Sequence, residues 1–304
     1  MKENNYDVII IGAGVAGMTS AIYLKRSGIN CLLIEGDTPG GQVTKTSVVT
    51  NYPGFKSIAG AELASKVLSQ VKELGVNILY QQVVDIKIEE GRKRIILNDE
   101  SELVTNNIII ATGRVPKKLG LPNEEKLFGH GVSYCATCDG TLYKGEEVVV
   151  IGGGDSALEE AIYLSSICKK VTLIHRREEF RAKSYLQEEL KYIENIEIIK
   201  NANVGDLIEQ NGKLTHVRIS RENQVENIEA TGCFIFVGYI PQTDAFSHLG
   251  ITNEAGFIRT NEEMETSIKG IYAVGDVREK SICQIVTATN DGAIAAICLL
   301  KALS

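Results

Sequence analysis

Two glycine-rich turns constrain the fold of this chain more than any other feature. Gly12–Gly17 (GAGVAG) follows the β-branched apolar run Val8–Ile11 and precedes a helical pattern. Gly152–Ala157 (GGGDSA) repeats this arrangement after a predicted strand at Glu147–Ile151. The two helices are predicted at Met18–Ser27 and Leu158–Ile167. A strand that ends in a tight glycine turn and continues as a helix is the first half of a βαβ unit. The sequence therefore predicts two such units.

The predicted fold is α/β, with two Rossmann-like, doubly wound dinucleotide-binding domains. Glycine and proline occur together at two stretches typical of linkers, Thr112–Pro116 and Gly238–Thr243. We therefore expect a second domain, residues 116–244, to be inserted into a first domain made of residues 1–115 and 245–304. A chain of 304 residues is long enough for two domains of ordinary size.

The first turn predicts a pyrophosphate site. Gly12, Gly14 and Gly17 let the backbone N–H groups and the positive end of the following helix face a phosphate. Glu35 ends the next predicted strand, where a carboxylate accepts hydrogen bonds from ribose hydroxyls. The alternatives are glycines that only relieve backbone strain and a solvated charge at the end of a strand.

The second turn has the opposite charge at the matching position. Glu35 follows Gly17 by 35 − 17 = 18 residues, and 18 residues after Ala157 the chain has His175. The next two residues are Arg176 and Arg177. Guanidinium groups bind a 2′-phosphate that a carboxylate would repel, so this domain is predicted to bind NADPH in preference to NADH.

Arg181 extends this basic cluster. It follows Arg177 by four residues, so both side chains would face the same phosphate if the segment were helical. The alternative is a solvated basic face paired with Glu178 and Glu179.

Hydride from NADPH needs an acceptor, and FAD in the first domain is the predicted one. The segment Gly270–Val277 (GIYAVGDV) supports the FAD prediction further. Asp276 follows a predicted strand there, at a position from which it can bind ribityl hydroxyls. A helix predicted at Gln284–Lys301 would direct its N-terminal dipole at the reduced flavin. The alternative is that Asp276 only caps a helix.

Cys135 and Cys138 form a C-x-x-C pair between the two glycine turns, and Asp139 follows directly. This spacing predicts a redox-active disulfide, with Asp139 either an acid that protonates a leaving thiolate or a helix cap. A zinc half-site with His130 is the alternative, but the sequence has no second C-x-x-C or H-x-x-x-H, and we expect no metal site.

Composition narrows the class of protein. The formal net charge of −7 argues against a nucleic-acid surface. Five further cysteines lie in apolar segments, where reduced thiols behave as small hydrophobes, which indicates a reducing compartment. The chain has no signal-peptide pattern and no apolar run that spans a bilayer. We expect a cytoplasmic protein that contacts neither membrane nor nucleic acid.

Several motifs together resemble one known family over nearly the whole chain. They are GAGVAG at Gly12–Gly17, PGGQ at Pro39–Gln42, NYPGF at Asn51–Phe55, ATG at Ala111–Gly113, CATCD at Cys135–Asp139, GGGDSA at Gly152–Ala157, HRR at His175–Arg177 with Arg181, and AVGDV at Ala273–Val277 with Gln284. The chain resembles the low-molecular-weight, bacterial-type thioredoxin reductases.

The resemblance implies a homodimer that binds FAD through the first and last segments and NADPH through the inserted domain, and that reduces the disulfide of thioredoxin. For FAD the resemblance implies the residues of the first turn together with Glu35 and Asp276. It adds six further flavin-site residues, Gly40, Gly41, Gln42, Asn51, Gly113 and Gln284. For NADPH it implies Gly152, Gly154, Asp155, Ser156, Ala157, His175, Arg176, Arg177 and Arg181.

The resemblance also implies roles for the redox residues. Cys138 would face the flavin, Cys135 would attack thioredoxin and Asp139 would be the acid-base group. One departure is Cys283, which stands where many members of the family carry arginine. Because the dithiol and the predicted NADPH turn share one domain, we expect that domain to rotate about its two linkers during turnover.

Other interpretations remain open at this point. The chain could be a reductase for a peroxidase system, although such proteins carry a long N-terminal extension before the first turn. It could take electrons from ferredoxin, although relatives that do so lack the NADPH signature found here. A dithiol oxidase that uses oxygen and a non-catalytic flavin-dependent redox sensor are the remaining alternatives.

Overall fold

The structure is a computed structural model that describes residues 6–46, 48–89, 91–222 and 224–303. Its strands, in chain order, are β1 Val8–Ile11, β2 Cys31–Glu35, β3 Asn77–Tyr80, β4 Val83–Glu89, β5 Arg92–Leu97, β6 Glu102–Thr105, β7 Asn107–Ile110, β8 Arg114–Pro116, β9 Val132–Ser133, β10 Glu147–Gly152, β11 Lys170–Ile174, β12 Ile196–Ile199, β13 Asn203–Gln210, β14 Lys213–Arg221, β15 Gln224–Glu229, β16 Gly232–Phe236, β17 Tyr239–Pro241 and β18 Ile271–Ala273. Its α-helices are α1 Val15–Arg26, α2 Gly60–Glu73, α3 Ala136–Asp139, α4 Asp155–Ser165, α5 Ser184–Leu190 and α6 Ile285–Leu303.

The chain divides into two compact units, and the second is inserted into the first. The inserted unit spans Pro116–Tyr239. Both crossings lie within the predicted linkers, but residues 240–244 belong to the first unit and not, as expected, to the inserted one. Local contacts explain the difference, since buried Thr243 donates a hydrogen bond from Oγ1 to the carbonyl oxygen of Gly256 at 3.0 Å.

The first unit is built on a parallel sheet of order β18-β7-β1-β2-β3. The central strand β1 is apolar throughout because both of its faces are covered. Val8 and Ile10 pack into a cluster with residues of α1, α2 and α6. Ile9 and Ile11 point to the other face and pack with residues of β4 and β5, which belong to the antiparallel sheet β4-β5-β6.

The inserted unit repeats this plan with a parallel sheet of order β12-β11-β10-β16-β9. Val148 and Val150 of the central strand β10 pack with residues of α4 and α5. Val149 and Ile151 pack on the other face with residues of β13 and β14, from the antiparallel sheet β13-β14-β15. Two parallel sheets with helices on one face confirm the predicted pair of Rossmann-like units.

The helices after the two glycine turns begin earlier than predicted. α1 and α4 each start three residues before the expected Met18 and Leu158. Gly14 and Gly154, which precede the helices, have the extended backbone of an N-cap residue. The glycine-rich composition obscured the first helical turn, because small residues contribute little to apolar periodicity.

The last helix, α6, packs closely on α1 within the first unit. A Cβ at Gly292 would lie 2.3 Å from the carbonyl oxygen of Ala16, so glycine permits this approach. Ser20 fixes the contact by donating from Oγ to the carbonyl oxygen of Gly292 at 3.1 Å. Among the described residues, α6 is the one helix long and apolar enough to cross a membrane. That is weak evidence for a span, because core helices meet the same criteria.

Candidate redox and dinucleotide sites

The first glycine turn is closed on its protein side and open at its centre. A Cβ at Gly12 would lie 2.5 Å from the carbonyl oxygen of Ala111, and one at Gly17 would lie 2.0 Å from that of Gly12. Around Gly14 no atom comes within 4 Å of the added Cβ. The turn therefore presses against the sheet and leaves free space at the start of α1, as a pyrophosphate site requires.

Glu35, at the end of β2, lies beside this turn. One carboxylate oxygen accepts a hydrogen bond from the Ala13 backbone N–H at 2.7 Å, and the other accepts from the Asp37 N–H at 2.9 Å. The ribose contact of Glu35 stays a prediction. The sequence did not predict that the same carboxylate holds the turn in place.

Gly40 and Gly41 are brought to the first turn from a later loop. The Gly40 N–H donates to the Ala13 carbonyl oxygen at 2.8 Å. Gly41 has a φ of +58°, and its Cβ would lie 3.6 Å from the Cα of Gly14. Gln42 follows in the same short 3₁₀ turn and is exposed. The predicted loop thus borders the open side of the glycine turn.

Two polar side chains predicted to line the flavin meet across a long stretch of sequence. The Asn51 side-chain amide donates from Nδ2 to Oε1 of Gln284 at 3.2 Å. Gln284 directly precedes α6. Gly113, also predicted here, has a φ of +70° and open space where a Cβ would be.

Asp276 carries an unused hydrogen-bond acceptor. Its Oδ1 atom is buried and has no hydrogen-bond partner among the described residues. Lys280 lies 3.6 Å from Oδ1, and Arg114 lies 3.8 Å from Oδ2. The thiol of Cys283 donates a hydrogen bond to this carboxylate, and burial raises the pKa of that thiol to about 11. Cys283, where many members of the resembled family carry arginine, therefore contacts a predicted flavin residue as a neutral thiol.

These features of the first unit fit FAD. The open space at Gly14 and Gly113 suits a ligand in close contact with backbone, and the free acceptor of Asp276 suits a hydroxyl donor. Chemistry at the isoalloxazine ring would be supplied by the cofactor, with the chain providing position and charge.

The second glycine turn has the same construction. A Cβ at Gly152 would lie 2.5 Å from the carbonyl oxygen of Phe236, and around Gly154 there is open space. Ala157 is buried beneath the turn and Ser156 is exposed at the start of α4.

Asp155 is already engaged within the protein. Its Oδ1 accepts a hydrogen bond from the backbone N–H of Lys183 at 2.9 Å, and its Oδ2 lies 3.3 Å from the ammonium group of Lys183. The residue therefore ties the start of α4 to the segment before α5. A contact with NADPH, as predicted, would have to share this carboxylate.

His175 lies in the core, which the charge pattern did not indicate. Its ring packs against Gly153, where a Cβ would come 2.2 Å from the imidazole, and Nε2 lies 3.0 Å from the Glu179 carbonyl oxygen. Burial lowers the pKa of His175, so the ring is neutral near pH 7. The expectation that His175 adds a positive charge to the basic cluster is wrong, because its place is beneath the turn.

Arg176, Arg177 and Arg181 are exposed. Their segment is a series of bends, so the helical condition for Arg177 and Arg181 is not met. A different contact brings the cluster to the turn, since the Arg181 N–H donates to the Gly153 carbonyl oxygen at 2.8 Å. Glu178 bonds to Asn201 at 2.6 Å, and in the described chain no carboxylate forms an ion pair with these three arginines. The basic groups therefore remain available to a phosphate.

Cys135 and Cys138 form a disulfide with a Cα–Cα distance of 5.3 Å. Cys135 precedes the short helix α3 and Cys138 lies within it, and both residues are half-buried. The two sulfurs are bonded to each other, and Nδ1 of the His130 ring lies 3.3 Å from the Phe128 carbonyl oxygen. No cluster of metal-binding side chains occurs in the parts of the chain that are described.

Asp139 ends α3 beside the disulfide. Its Oδ2 accepts a hydrogen bond from Oγ of Ser133 at 2.7 Å, while its Oδ1 is buried without a partner among the described residues. Burial raises the pKa of Asp139 above that of an ordinary aspartate, and the Ser133 bond opposes this only in part. The side chain makes no capping hydrogen bond. A carboxyl group that keeps its proton to higher pH suits the predicted acid.

Ser133 was not identified from the sequence. Besides the bond to Asp139, its Oγ accepts a hydrogen bond from the Cys135 N–H at 3.1 Å. It is 2% exposed and lies at the end of β9. A serine two residues before a C-x-x-C motif does not by itself predict a functional role. The role of Ser133 depends on the turn that places Asp139 next to it.

The sequence matches the pyridine nucleotide-disulphide oxidoreductase family over residues 6–292. A thioredoxin reductase of Bacillus subtilis is 46% identical over 297 residues, which cover 97% of this chain and 94% of the relative. One of Listeria innocua is 47% identical, covering 97% and 92%. The crystal structure of thioredoxin reductase from Streptococcus pyogenes matches with a TM-score of 0.93 and 40% identity, covering 99% of both chains.

These relatives span nearly the whole chain, including both glycine turns and the disulfide. Thioredoxin reductases of this type use FAD and NADPH. The fold, the paired dinucleotide turns and the redox disulfide agree with the comparisons. The chain belongs to the pyridine nucleotide-disulphide oxidoreductase family.

Proposed function

We propose that this protein is an NADPH-dependent thioredoxin reductase. The observation that carries the proposal is the half-buried Cys135–Cys138 disulfide beside Asp139. It lies in the unit whose glycine turn adjoins three arginines that form no ion pair with any described carboxylate. Relatives named thioredoxin reductase at 46% and 47% identity support the same substrate. FAD and NADPH, when bound, would supply the two electrons that reduce the disulfide.

The proposed FAD site uses residues of the first unit. Open glycines, Glu35 beside the turn and the free acceptor of Asp276 support this assignment. The residues proposed to hold FAD are Gly12, Gly14, Gly17, Glu35, Gly40, Gly41, Gln42, Asn51, Gly113, Asp276 and Gln284.

The proposed NADPH site uses the inserted unit. Gly152, Gly154, Ser156 and Ala157 form the pyrophosphate turn with Asp155 beside it, and Arg176, Arg177 and Arg181 are proposed to bind the 2′-phosphate. His175 supports them from below, since its ring fixes the turn at Gly153. A direct bond from His175 to the phosphate is not part of the proposal.

The reduced pair is proposed to act by thiol-disulfide exchange. The Cys135 thiolate attacks one sulfur of the thioredoxin disulfide and forms a mixed disulfide. Cys138 then attacks Cys135, the Cys135–Cys138 bond re-forms, and thioredoxin leaves as a dithiol. Asp139 is proposed to deliver a proton to a leaving thiolate, which its raised pKa favours.

We also propose a cytoplasmic homodimer without nucleic-acid or membrane partners. Cys31, Cys168 and Cys233 are buried as free thiols, which agrees with a reducing compartment. The net charge of −7 disfavours nucleic acid. The dimer rests on the family resemblance alone, and sedimentation of the purified protein would test it.

Anaerobic titration tests the main function. Two equivalents of NADPH, one for the Cys135–Cys138 disulfide and one for the flavin, should bleach the flavin absorbance of the yellow protein, and oxidised thioredoxin should restore it. Thioredoxin disulfide reduction is read separately with a thiol reagent. Bleaching by NADPH without reoxidation by thioredoxin would reject the proposed substrate and favour another disulfide partner. Failure of NADPH to bleach the flavin would favour a ferredoxin-linked enzyme or a sensor.

Replacing Arg176 and Arg177 together by alanine should change nucleotide preference. The KM for NADPH should rise about 10- to 100-fold, because charge-assisted bonds to the 2′-phosphate are lost. The KM for NADH should stay nearly constant, since it lacks that phosphate. Steady-state kinetics with both nucleotides measures the change, and Arg221→Ala, an exposed arginine of the same unit, is the control. Equal increases for both nucleotides would contradict the phosphate assignment.

A further inference from the structure

Glu160 lies on α4 and is bonded to the redox turn. Its carboxylate accepts a hydrogen bond from the backbone N–H of Thr137, which stands between the two cysteines. Thr137 places its Oγ1 atom 3.4 Å from the sulfur of Cys135. The carboxylate of Glu160 is thereby bonded to the turn that holds both sulfurs. Glu160 itself belongs to a different helix and lies outside the C-x-x-C motif.

The other oxygen of Glu160 is left without a partner. Oε2 is buried and has no hydrogen-bond partner among the described residues. Burial raises the pKa of Glu160 to about 7, against the smaller opposing effect of the Thr137 bond, and the negative charge of Glu159 adds to the rise. An ordinary glutamate is fully ionised at neutral pH, whereas this one is close to half protonated. Its charge therefore changes in the pH range in which dithiols react.

The charged neighbours of α4 leave this carboxyl group uncompensated. Asp139 on α3 bonds to Ser133, and Lys183 before α5 pairs with Asp155. Tyr143, after α3, is half-buried, and desolvation raises its pKa to about 12, so it is neutral. Within the described ranges no cation pairs with Glu160. A buried carboxyl group without a counter-ion costs free energy, so its attachment to a reactive turn points to a role there.

We propose that Glu160 is a positioning residue of the redox pair: its bond to Thr137 holds the Cys135–Cys138 turn, and its charge controls how readily the reduced cysteines ionise. Reduction breaks the S–S bond with two electrons and, at low pH, two protons. A charged Glu160 disfavours a thiolate beside it, whereas a neutral Glu160 does not. The inference rests on the proposed redox role of the pair.

The test is Glu160→Gln, which keeps an oxygen for the Thr137 N–H and removes the charge. Both proteins are reduced with dithiothreitol, desalted without oxygen and alkylated with iodoacetamide between pH 5.5 and 9.5. Mass spectrometry then reads the rates at Cys135 and Cys138. We expect the thiol pKa of the variant to fall by about 0.5 to 1 unit, which gives roughly three- to tenfold faster alkylation near pH 8. The rates should agree at pH 5.5, where Glu160 is protonated in the parent.

Glu188→Gln is the matched control, because it removes an exposed charge of the same unit that pairs with Lys191. Its alkylation profile should follow the parent. Coincident profiles of the parent and Glu160→Gln would overturn the proposal, since a purely structural carboxyl group is replaced by glutamine without change in thiol acidity.

A second measurement needs no variant. Carbon-13 NMR of glutamate-labelled protein follows the titration of the Glu160 carboxyl group in the oxidised and reduced states. If the carboxyl group and the thiols interact, the Glu160 titration curve of the reduced protein must show a further step as the thiols ionise, which the disulfide form lacks. Identical titration curves in the two states would overturn the proposal. Neither experiment uses NADPH or thioredoxin, so failure here is distinct from failure of the proposed function.

Discussion

Replacing Cys138 by serine is expected to abolish NADPH-dependent thioredoxin reduction, with a loss of more than about a thousandfold. The substitution leaves only one sulfur of the redox pair. No Cys135–Cys138 bond can then accept two electrons from the flavin or re-form after attack on thioredoxin. The glycine turns and their cofactor contacts are untouched. NADPH should therefore still bleach the flavin of the variant.

Stopped-flow absorbance of the flavin and a thiol assay of thioredoxin measure the two half-reactions separately. Cys298→Ser replaces a free, half-buried cysteine of α6 and should retain turnover. Thioredoxin reduction by Cys138→Ser at a rate near that of the parent would place the exchanging disulfide elsewhere. Loss of NADPH bleaching as well would show damage beyond the missing sulfur.

Replacing Asp139 by asparagine should slow thioredoxin reduction by about 100- to 1,000-fold, the range typical of a lost general acid. The amide keeps the acceptor for Ser133 but has no acidic proton. Because burial raises the pKa of Asp139, the parent keeps the acid form to higher pH than an ordinary aspartate. The parent's rate should fall as pH rises through that raised pKa, and the variant should lack this decrease.

Single-turnover reduction of thioredoxin between pH 5 and 9 measures this difference. Asp206→Asn, in the same unit and paired with Arg218 at 3.4 Å, is the control and should leave the pH profile unchanged. An unchanged pH profile in the Asp139→Asn variant would exclude Asp139 as the acid.

The pH dependence of the thermal stability tests the same residue independently. A folded-state pKa above the unfolded value means that ionised Asp139 destabilises the fold. Asp139→Asn should therefore raise the Tm at pH 8 more than at pH 4.

The fold was largely predictable because its signals are local. Each glycine turn lies directly between its strand and its helix, and the continuous apolar run Val8–Ile11 indicates a strand covered on both faces. The glycine and proline content of the two linkers predicted the boundaries of the inserted unit to within five residues. Helix starts were less predictable, since the first turns of α1 and α4 consist mostly of small residues.

The site was predictable only where a motif carries the chemistry. Cys135, Cys138 and Asp139 are adjacent in sequence, whereas Ser133 and Glu160 reach them through the return of the chain. Sequence spacing located His175 at the end of a strand but could not show that its ring is buried. A count along the chain gives position and residue type, and burial depends on the packing of other segments.

The close packing of Gly292 on Ala16 has a consequence for synthesis of the protein. The first unit gains strand β18 and helix α6 only from the end of the chain, whereas the inserted unit is one continuous stretch, Pro116–Tyr239. During translation the inserted unit can fold once it has emerged, while the earlier segment still lacks its last strand and covering helix. The second dinucleotide fold can therefore form before the first, whose helix α1 lacks its covering helix until α6 has been synthesised.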